Sequence, residues 1–350
     1  MNRMDAKQKK FLWISIGLSL AVLLIVILLT FDENTITAIQ QLNPAYLLLA
    51  FMMHMLAMGF WAARIVVMCR SLGYKVPFGH SLNMVCAGQL IAAITPSQVG
   101  GEPVRIHELY KANMPVADAT AVVLIERLME AVLMVLGVIF AMSIFSFVYS
   151  DGVIPQGLII AAWCGTGFFT GLLLLLVVIM RKPALIKKIA LKIGGLFMKK
   201  MNPAAVEKIT GQILDGIDEF YTTFRLFAGK AKWGLFIGFI LTFCLWACEY
   251  SVASIILMGL GYPPNVLLSI VFQLIIAVIM MVPLTPGAAG IAELAYAGFY
   301  ATIIPSSVVG LFVVLLRMIL YYSNILIGFI ASFLIVKREA ANKKVIREDG

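Results

Sequence analysis

The sequence predicts an all-α polytopic membrane protein of about six full transmembrane helices plus two re-entrant hairpins arranged as an inverted-topology repeat. Three observations carry this. Of 350 residues, 62% are hydrophobic and 13% charged, against roughly 45 to 50% and about 25% in soluble domains. Apolar runs such as Phe11 to Thr30 and Gly157 to Met180 reach the roughly 20 residues a helix needs to cross the hydrocarbon core. Finally, two proline- and glycine-broken stretches recur at one spacing. The first two observations exclude a soluble protein. The net charge of +9 does not point to nucleic acid, because the Lys and Arg fall in short blocks at the ends of apolar runs, where they face anionic headgroups and set orientation.

Residues 1–30 are expected to form the first transmembrane helix, held with its N-terminus in the cytoplasm by Arg3, Lys7, Lys9 and Lys10. The apolar run is longer than a signal-peptide core and no small-x-small cleavage site follows it. Phe31 to Pro44 carries Asp32 and Glu33 but no base, which places it outside. The first half, 45–180, opens with the span Ala45 to Cys69, returning to Arg70 and Lys75. Its hairpin, 80–118, comprises the short apolar His80 to Ile94, a break at Thr95-Pro96 and the polar Gly100 to Lys111. Both ends of that hairpin must be cytoplasmic, because Ala119 to Val148 runs outward to a loop, Tyr149 to Pro155, with no basic residue. Backbone of this kind is tolerated at membrane depth where protein or a polar cavity surrounds it.

Gly157 to Met180 returns to a basic cytoplasmic linker, 181–232, with eleven basic and four acidic residues in Arg181 to Lys232. Within it Leu185, Ile186, Ile189, Ile193 and Leu196 recur at helical spacing beside Lys187, Lys188 and Lys192. That pattern predicts an amphipathic helix on the anionic lipids of the inner leaflet; a plain linker between halves fits the charges equally. The second half, 233–338, has the span Trp233 to Met258, a hairpin 266–304 broken at Thr285-Pro286-Gly287, and the span Val308 to Val336 ending at Lys337 and Arg338. Residues 339–350 form a cytoplasmic tail. The reading is a multi-pass plasma (cytoplasmic) membrane protein with both termini cytoplasmic.

The halves share a register. Thr95-Pro96 and Thr285-Pro286 are 190 residues apart, as are Gly100 and Gly290, and Arg127 and Arg317. Arg317 is the only Lys or Arg between 233 and 336. One hairpin enters from each side, the signature of an inverted repeat, in which substrate sits near the midplane at the repeat interface. There the breaks leave free N–H groups at new helix starts, suited to an anion. Thr95, Pro96, Gly100, Gly101, Thr285, Pro286, Gly287 and Gly290 are therefore candidate binding positions.

Charged residues inside the apolar runs are Arg64, Glu126, Arg127, Glu130, Glu249 and Arg317, with Glu102, Arg105, Glu108 and Glu293 just past the breaks. Intramembrane ionisable groups default to function. Arg64, Arg105, Arg127 and Arg317 are read as holding a phosphate, since guanidinium makes bidentate contacts and stays charged when desolvated. The competing reading is structural pairing, with Glu126 and Glu130, at i and i+4, neutralising Arg127 or Arg105. His107 is a weaker proton-relay candidate, and His54 reads as a satisfied polar contact. The five cysteines form no CxxC pair and have too few histidines nearby, so neither metal nor cofactor is expected. Walker A, H-E-x-x-H and G-x-S-x-G motifs do not occur.

The two hairpin motifs, Ile94-Thr95-Pro96-Ser97-Gln98-Val99-Gly100-Gly101-Glu102-Pro103-Val104-Arg105 and Pro283-Leu284-Thr285-Pro286-Gly287-Ala288-Ala289-Gly290-Ile291-Ala292-Glu293, resemble those of the lysylphosphatidylglycerol synthase transmembrane family. This is the flippase-like domain found also at the N-terminus of multiple peptide resistance factor proteins, and the resemblance covers roughly residues 10 to 338. It implies a membrane domain that moves a lipid between leaflets, an aminoacylated phosphatidylglycerol in the best-known members. Ser97-Gln98 and Ala288-Ala289 depart from the family's glycines, which leaves room for another headgroup. Only fourteen mostly polar residues follow Val336, so the synthase part of the fused relatives is not expected.

The sequence thus points to a flippase-like translocator of a phosphate-bearing lipid, such as an aminoacylated phospholipid or a polyprenyl-phosphate-linked sugar. A separate lipid-modifying synthase or glycosyltransferase is an expected partner, and a homodimer is compatible. Two alternatives stay open: an intramembrane enzyme acting on a lipid headgroup through Glu102, His107 or Glu293, and a small-solute secondary transporter.

Overall fold

A computed structural model describes residues 6–30, 32–95, 100–148, scattered positions between 160 and 192, 203–229, 231–280, 285 and 288–348. Among these residues all regular structure is helical. Helix α1 spans Ala6–Thr30, α2 Glu33–Gln41, α3 Pro44–Ser71, α4 Phe78–Ile94, α5 Gly101–Lys111 and α6 Val116–Val148. Then come α7 (Pro203–Ala228), α8 (Lys232–Gly259), α9 (Val266–Met280), α10 (Ile291–Tyr300) and α11 (Ser306–Arg317). Helix α11 runs through a π-helical turn, Met318–Tyr322, into α12, Ser323–Glu348. Among the described residues three helices are long and apolar enough to cross a membrane: Pro44–Ser71, Lys232–Gly259 and Ser306–Arg338. A fourth arises if the bent pair formed by α1 and α2 counts as one span.

The loop expected after the first span is itself helical. Asp32 accepts from Thr35 N at 3.0 Å while Thr35 Oγ1 accepts from Asp32 N at 3.1 Å, a reciprocal box that satisfies donors of the first turn. Helix α2 leaves α1 at 108° and is fastened to α11 by Thr35 Oγ1 donating to Ser307 O at 2.6 Å. Asn43 caps α3 through Ala45 N at 3.0 Å, with Pro44 pre-set at the first helical position.

Helix α4 has 17 residues and α9 has 15, about 25 and 22 Å at 1.5 Å per residue, short of a roughly 30 Å core. Each is followed by a break and a short helix, α5 or α10, packed against it. Helices α3 and α8 lie along each other, and α4 lies along α12. One large core joins α8, α9, α10 and α11 around Phe272, Tyr300 and Phe312; another joins α3, α4 and α6 around Met68, Met84 and Val122. Sequence places 181–232 as a linker, and the amphipathic positions Ile186, Ile189, Ile193 and Leu196 lie outside the described residues. Its second part, α7, docks on the core: Phe227 is buried with Met68, and Thr223 Oγ1 donates to Asp118 of α6.

Gly328 sets the approach of α12 to α4. A Cβ there would stand 2.5 Å from Cys86 O and 2.7 Å from Leu90 Cβ, and small residues are what let membrane helices come this close. Gly328→Ala gains about 1 kcal/mol of helix propensity, which the backbone clash outweighs. Gly328→Val is expected to cost about 1 to 3 kcal/mol, read as a lower thermal midpoint in detergent, with alanine intermediate. A midpoint unchanged in the valine variant would contradict the close contact.

A candidate buried arginine site

The first-half charges gather into one cluster. Arg64, fully buried on α3, donates from Nε to Glu126 Oε1 at 3.0 Å, from Nη2 to Glu130 Oε1 at 2.8 Å, and from Nη1 to Thr242 Oγ1 of α8 at 3.0 Å. Glu126 and Glu130 are one turn apart on α6, so one guanidinium reaches both. Trp61, one turn before Arg64, donates Nε1 to Glu126 Oε1 at 3.2 Å. Arg127 pairs with Glu130 Oε2 at 2.6 Å and with Glu102 of α5. Pairing with Glu130, anticipated for Arg127, is thus present, and Arg64 takes the larger share of Glu126.

Arg105 differs from the other two. It is buried on α5 with its guanidinium 4.9 Å from the Trp61 ring centroid. Glu102 Oε1 lies 3.6 Å from its Nη2, and Glu126 Oε2 lies 3.9 Å from its Nη1, beyond hydrogen-bond distance. Its Nε and Nη2 have no hydrogen-bond partner among the described residues, nor do Glu102 Oε2 and Glu126 Oε2. Three arginines and three glutamates give this cluster a formal charge of zero. Its one under-satisfied cation stands beside the first break. There Thr95 Oγ1 donates to Ile91 O at 3.0 Å and accepts Gly100 N at 2.9 Å. Gly101 lies against the backbone of Gly88, where a Cβ would stand 3.0 Å from Gly88 O.

The second-half cluster is smaller. Arg317 pairs through Nε with Glu293 Oε1 at 2.8 Å, and Nη2 donates to Ser19 Oγ at 3.4 Å. Its guanidinium lies 3.8 Å from the Tyr321 ring centroid. Ser19 of α1 donates to Glu293 and accepts from Tyr322 OH at 2.9 Å. Glu293 Oε2 accepts Gly290 N at 2.6 Å, and Gly290 holds φ 84°, where glycine is favoured. The π-helical turn that begins after Arg317, in which Ser323 N bonds back to Met318 O, carries both tyrosines of this cluster. Thr285 Oγ1 is buried without a partner among the described residues. Pro96, Pro286 and Gly287 lie outside the described residues.

Glu249 does not join either arginine cluster directly. It binds His54 Nδ1 through both oxygens at 3.0 Å, and Asn324 Oδ1 lies 3.0 Å from His54 Nε2. The polar contact foreseen for His54 is therefore this triad. Two tyrosines stand within electrostatic reach of these groups: half-buried Tyr250, of Glu130, Glu249 and Tyr296, and buried Tyr296, of Arg317, Glu249 and Glu293. The Tyr250 hydroxyl and Trp246 Nε1 have no partner among the described residues. Further along α12, Arg338 pairs with Glu108 at 3.0 Å and contacts His80. His107 is exposed on α5. Among the described residues no group of three or more His, Cys, Asp or Glu could hold a metal.

Sequence reasoning missed Trp61, Thr242, Ser19, Tyr321, Tyr322 and Asn324. Ser19 and Thr242 are single hydroxyls inside apolar runs, a pattern that also suits a residue bonded to its own helix. Thr242 does bond Gly238 O at 2.8 Å in addition to Arg64.

The family model described as Lysylphosphatidylglycerol synthase TM region matches residues 12–328. A UPF0104 membrane protein of Archaeoglobus fulgidus is 32% identical over 91% of this chain and 95% of its own length. Similar UPF0104 membrane proteins occur in Methanocaldococcus jannaschii, at 27% identity over 89% of this chain and 91% of that protein, and in Methanothermobacter thermautotrophicus, at 24% over 75% and 77%. No solved structure matches the chain.

Proposed function

This chain belongs to the Lysylphosphatidylglycerol synthase TM region family, and from that premise we propose that it is a flippase-like translocator holding a lipid phosphate at Arg105. The observation that carries the reading is the Arg105 guanidinium: buried, braced on Trp61, with Nε and Nη2 undonated. That edge is the fork that donates two parallel N–H bonds to phosphate oxygens, and a desolvated cation gains most by finding an anion. Arg64 and Arg127 already hold carboxylates, so they shape the site and set its field. The headgroup enters beside Arg127, whose side chain is 36% exposed, while acyl or prenyl chains stay in the bilayer.

The same proposal includes the inverted repeat and the two re-entrant hairpins. Helix starts recur at nearly constant spacing: Pro44 and Lys232 are 188 residues apart, Phe78 and Val266 are 188, Gly101 and Ile291 are 190, and Val116 and Ser306 are 190. The short paired helices α4–α5 and α9–α10 would open the site to alternate leaflets. Glu102, Glu126, Glu130 and Glu293 would hold the arginines in place between turnovers.

The test is reconstitution into liposomes carrying labelled phosphatidylglycerol, its aminoacylated form or a polyprenyl phosphate, followed by a membrane-impermeant quencher. Faster exposure of one phosphate lipid supports the reading and names the substrate class. Equal, unaccelerated exposure of all three, with saturable uptake of a water-soluble solute instead, would replace it. Arg127→Ala is expected to stay folded and slow the lipid, because Glu130 keeps Arg64 and Glu102 is partly solvated; an unaltered rate would remove Arg127 from the path.

A further inference from the structure

The His54, Glu249 and Asn324 triad joins three helices that carry the fold. His54 is on α3, Glu249 on α8, and Asn324 sits just beyond the π-helical turn at the start of α12. Asn324 Nδ2 donates to Leu320 O at 2.7 Å, a carbonyl within that turn. This fixes the amide: its oxygen must face His54, so His54 Nε2 carries a proton. On the other side of the ring, Nδ1 faces both Glu249 oxygens at 3.0 Å. A neutral imidazole protonated at Nε2 would present a lone pair to an ionised carboxylate there, acceptor against acceptor. The observed geometry therefore requires one more proton between Nδ1 and Glu249, on either partner.

From this geometry we propose that the His54 and Glu249 pair is a proton-binding site and that its proton drives lipid movement. The proposal rests on the translocator reading above. On uptake, a proton from the aqueous phase enters the gap and forms one N–H···O or O–H···N bond closing α3 on α8; on release, it returns to water and two acceptors repel. Glu249 supplies the route, since its side chain is 16% accessible while that of His54 is 1%. Because Asn324 ties the ring to the π-helical turn, loosening the pair frees the segment that carries Arg317, Tyr321 and Tyr322. Asn324 on α12 faces the pair directly, and the titratable groups within electrostatic reach of Glu249 are Cys248 and Tyr250 on α8 and Tyr296 on α10, Tyr250 in turn within reach of Glu130 and Tyr296 of Arg317.

The experiment uses full-length protein in phosphatidylcholine vesicles carrying fluorescent phosphatidylglycerol or a polyprenyl phosphate, with a pH difference of one unit across the membrane. One proton per lipid would sustain roughly a tenfold leaflet asymmetry per pH unit, abolished when an ionophore dissipates the gradient. Glu249→Gln, whose amide N–H still bonds Nδ1, and His54→Asn are expected to remain folded and show no gradient-driven asymmetry. A wild-type distribution indifferent to the gradient, or an undiminished response in Glu249→Gln, overturns the proposal while leaving lipid transport intact. Should no lipid move in any variant, transport itself fails, and proton uptake by detergent-purified protein decides the site. Wild type taking up one proton that Glu249→Gln does not, over about pH 5 to 9, upholds the site; equal uptake overturns it.

Discussion

Arg64→Gln is expected to cost the protein its fold. Arg64 has no exposed surface and its guanidinium spends its bonds on Glu126, Glu130 and Thr242. Glutamine would leave Glu126 with Trp61 and a distant Arg105 as partners, and Glu130 with Arg127 alone. Removing one member of a buried pair costs about 3 to 5 kcal/mol because the other charge stays behind, a large part of the roughly 5 to 15 kcal/mol that holds a protein folded. Loss of monodisperse protein in detergent, or a steep fall in thermal midpoint, is the expected readout. Adding Glu126→Gln should recover most of it, since the stranded charge is then gone. A single variant as stable as wild type would mean that the cluster is solvated and the neutral hexad is not a structural unit.

Arg317→Ala is expected to be nearly as damaging, and here structure revises an expectation. By sequence, Arg127 and Arg317 stand at matching positions of a repeat, 190 residues apart, with the same phosphate-holding role. Arg127 is partly exposed, and its partners Glu102 and Glu130 keep solvent or Arg64. A pair of that kind contributes about 1 kcal/mol or less. Arg317 and Glu293 are both buried, and without the arginine Glu293 retains the Gly290 amide and the Ser19 hydroxyl. A cost of about 3 to 5 kcal/mol follows. The charge-neutral pair Arg317→Met with Glu293→Gln should restore the thermal midpoint. If it does not, the loss comes from the Tyr321 and Ser19 contacts rather than from a stranded charge.

Much of the helical framework was legible because apolar run length is a local property. The expected spans Ala45 to Cys69 and Trp233 to Met258 became Pro44–Ser71 and Lys232–Gly259. The short arm His80 to Ile94 became Phe78–Ile94, and the stretch of hairpin 266–304 before its break holds the helix Val266–Met280. Helix α2 was missed because the acidic, base-free loop signal hid the Asp32 and Thr35 capping box. The candidate charges were legible one by one, as costly residues in apolar runs. Their pairing was not, because Arg64 and Glu130, or Ser19 and Glu293, are brought together by helix packing that no window of sequence contains. Nor could charge alone rank the arginines. What separates Arg105 from Arg64 is carboxylates at 3.6 and 3.9 Å instead of 2.8 Å, and two guanidinium nitrogens without a hydrogen bond among the described residues.

That difference frames the decisive measurement: phosphate-lipid movement by Arg105→Gln beside wild type, in the same liposomes, with thermal midpoints recorded for both. Arg105 has its carboxylates at 3.6 and 3.9 Å, beyond hydrogen-bond distance, so its replacement is expected to lower the midpoint less than Arg64→Gln does while abolishing lipid exposure to the quencher. A folded Arg105→Gln protein that moves the lipid at the wild-type rate would contradict the account.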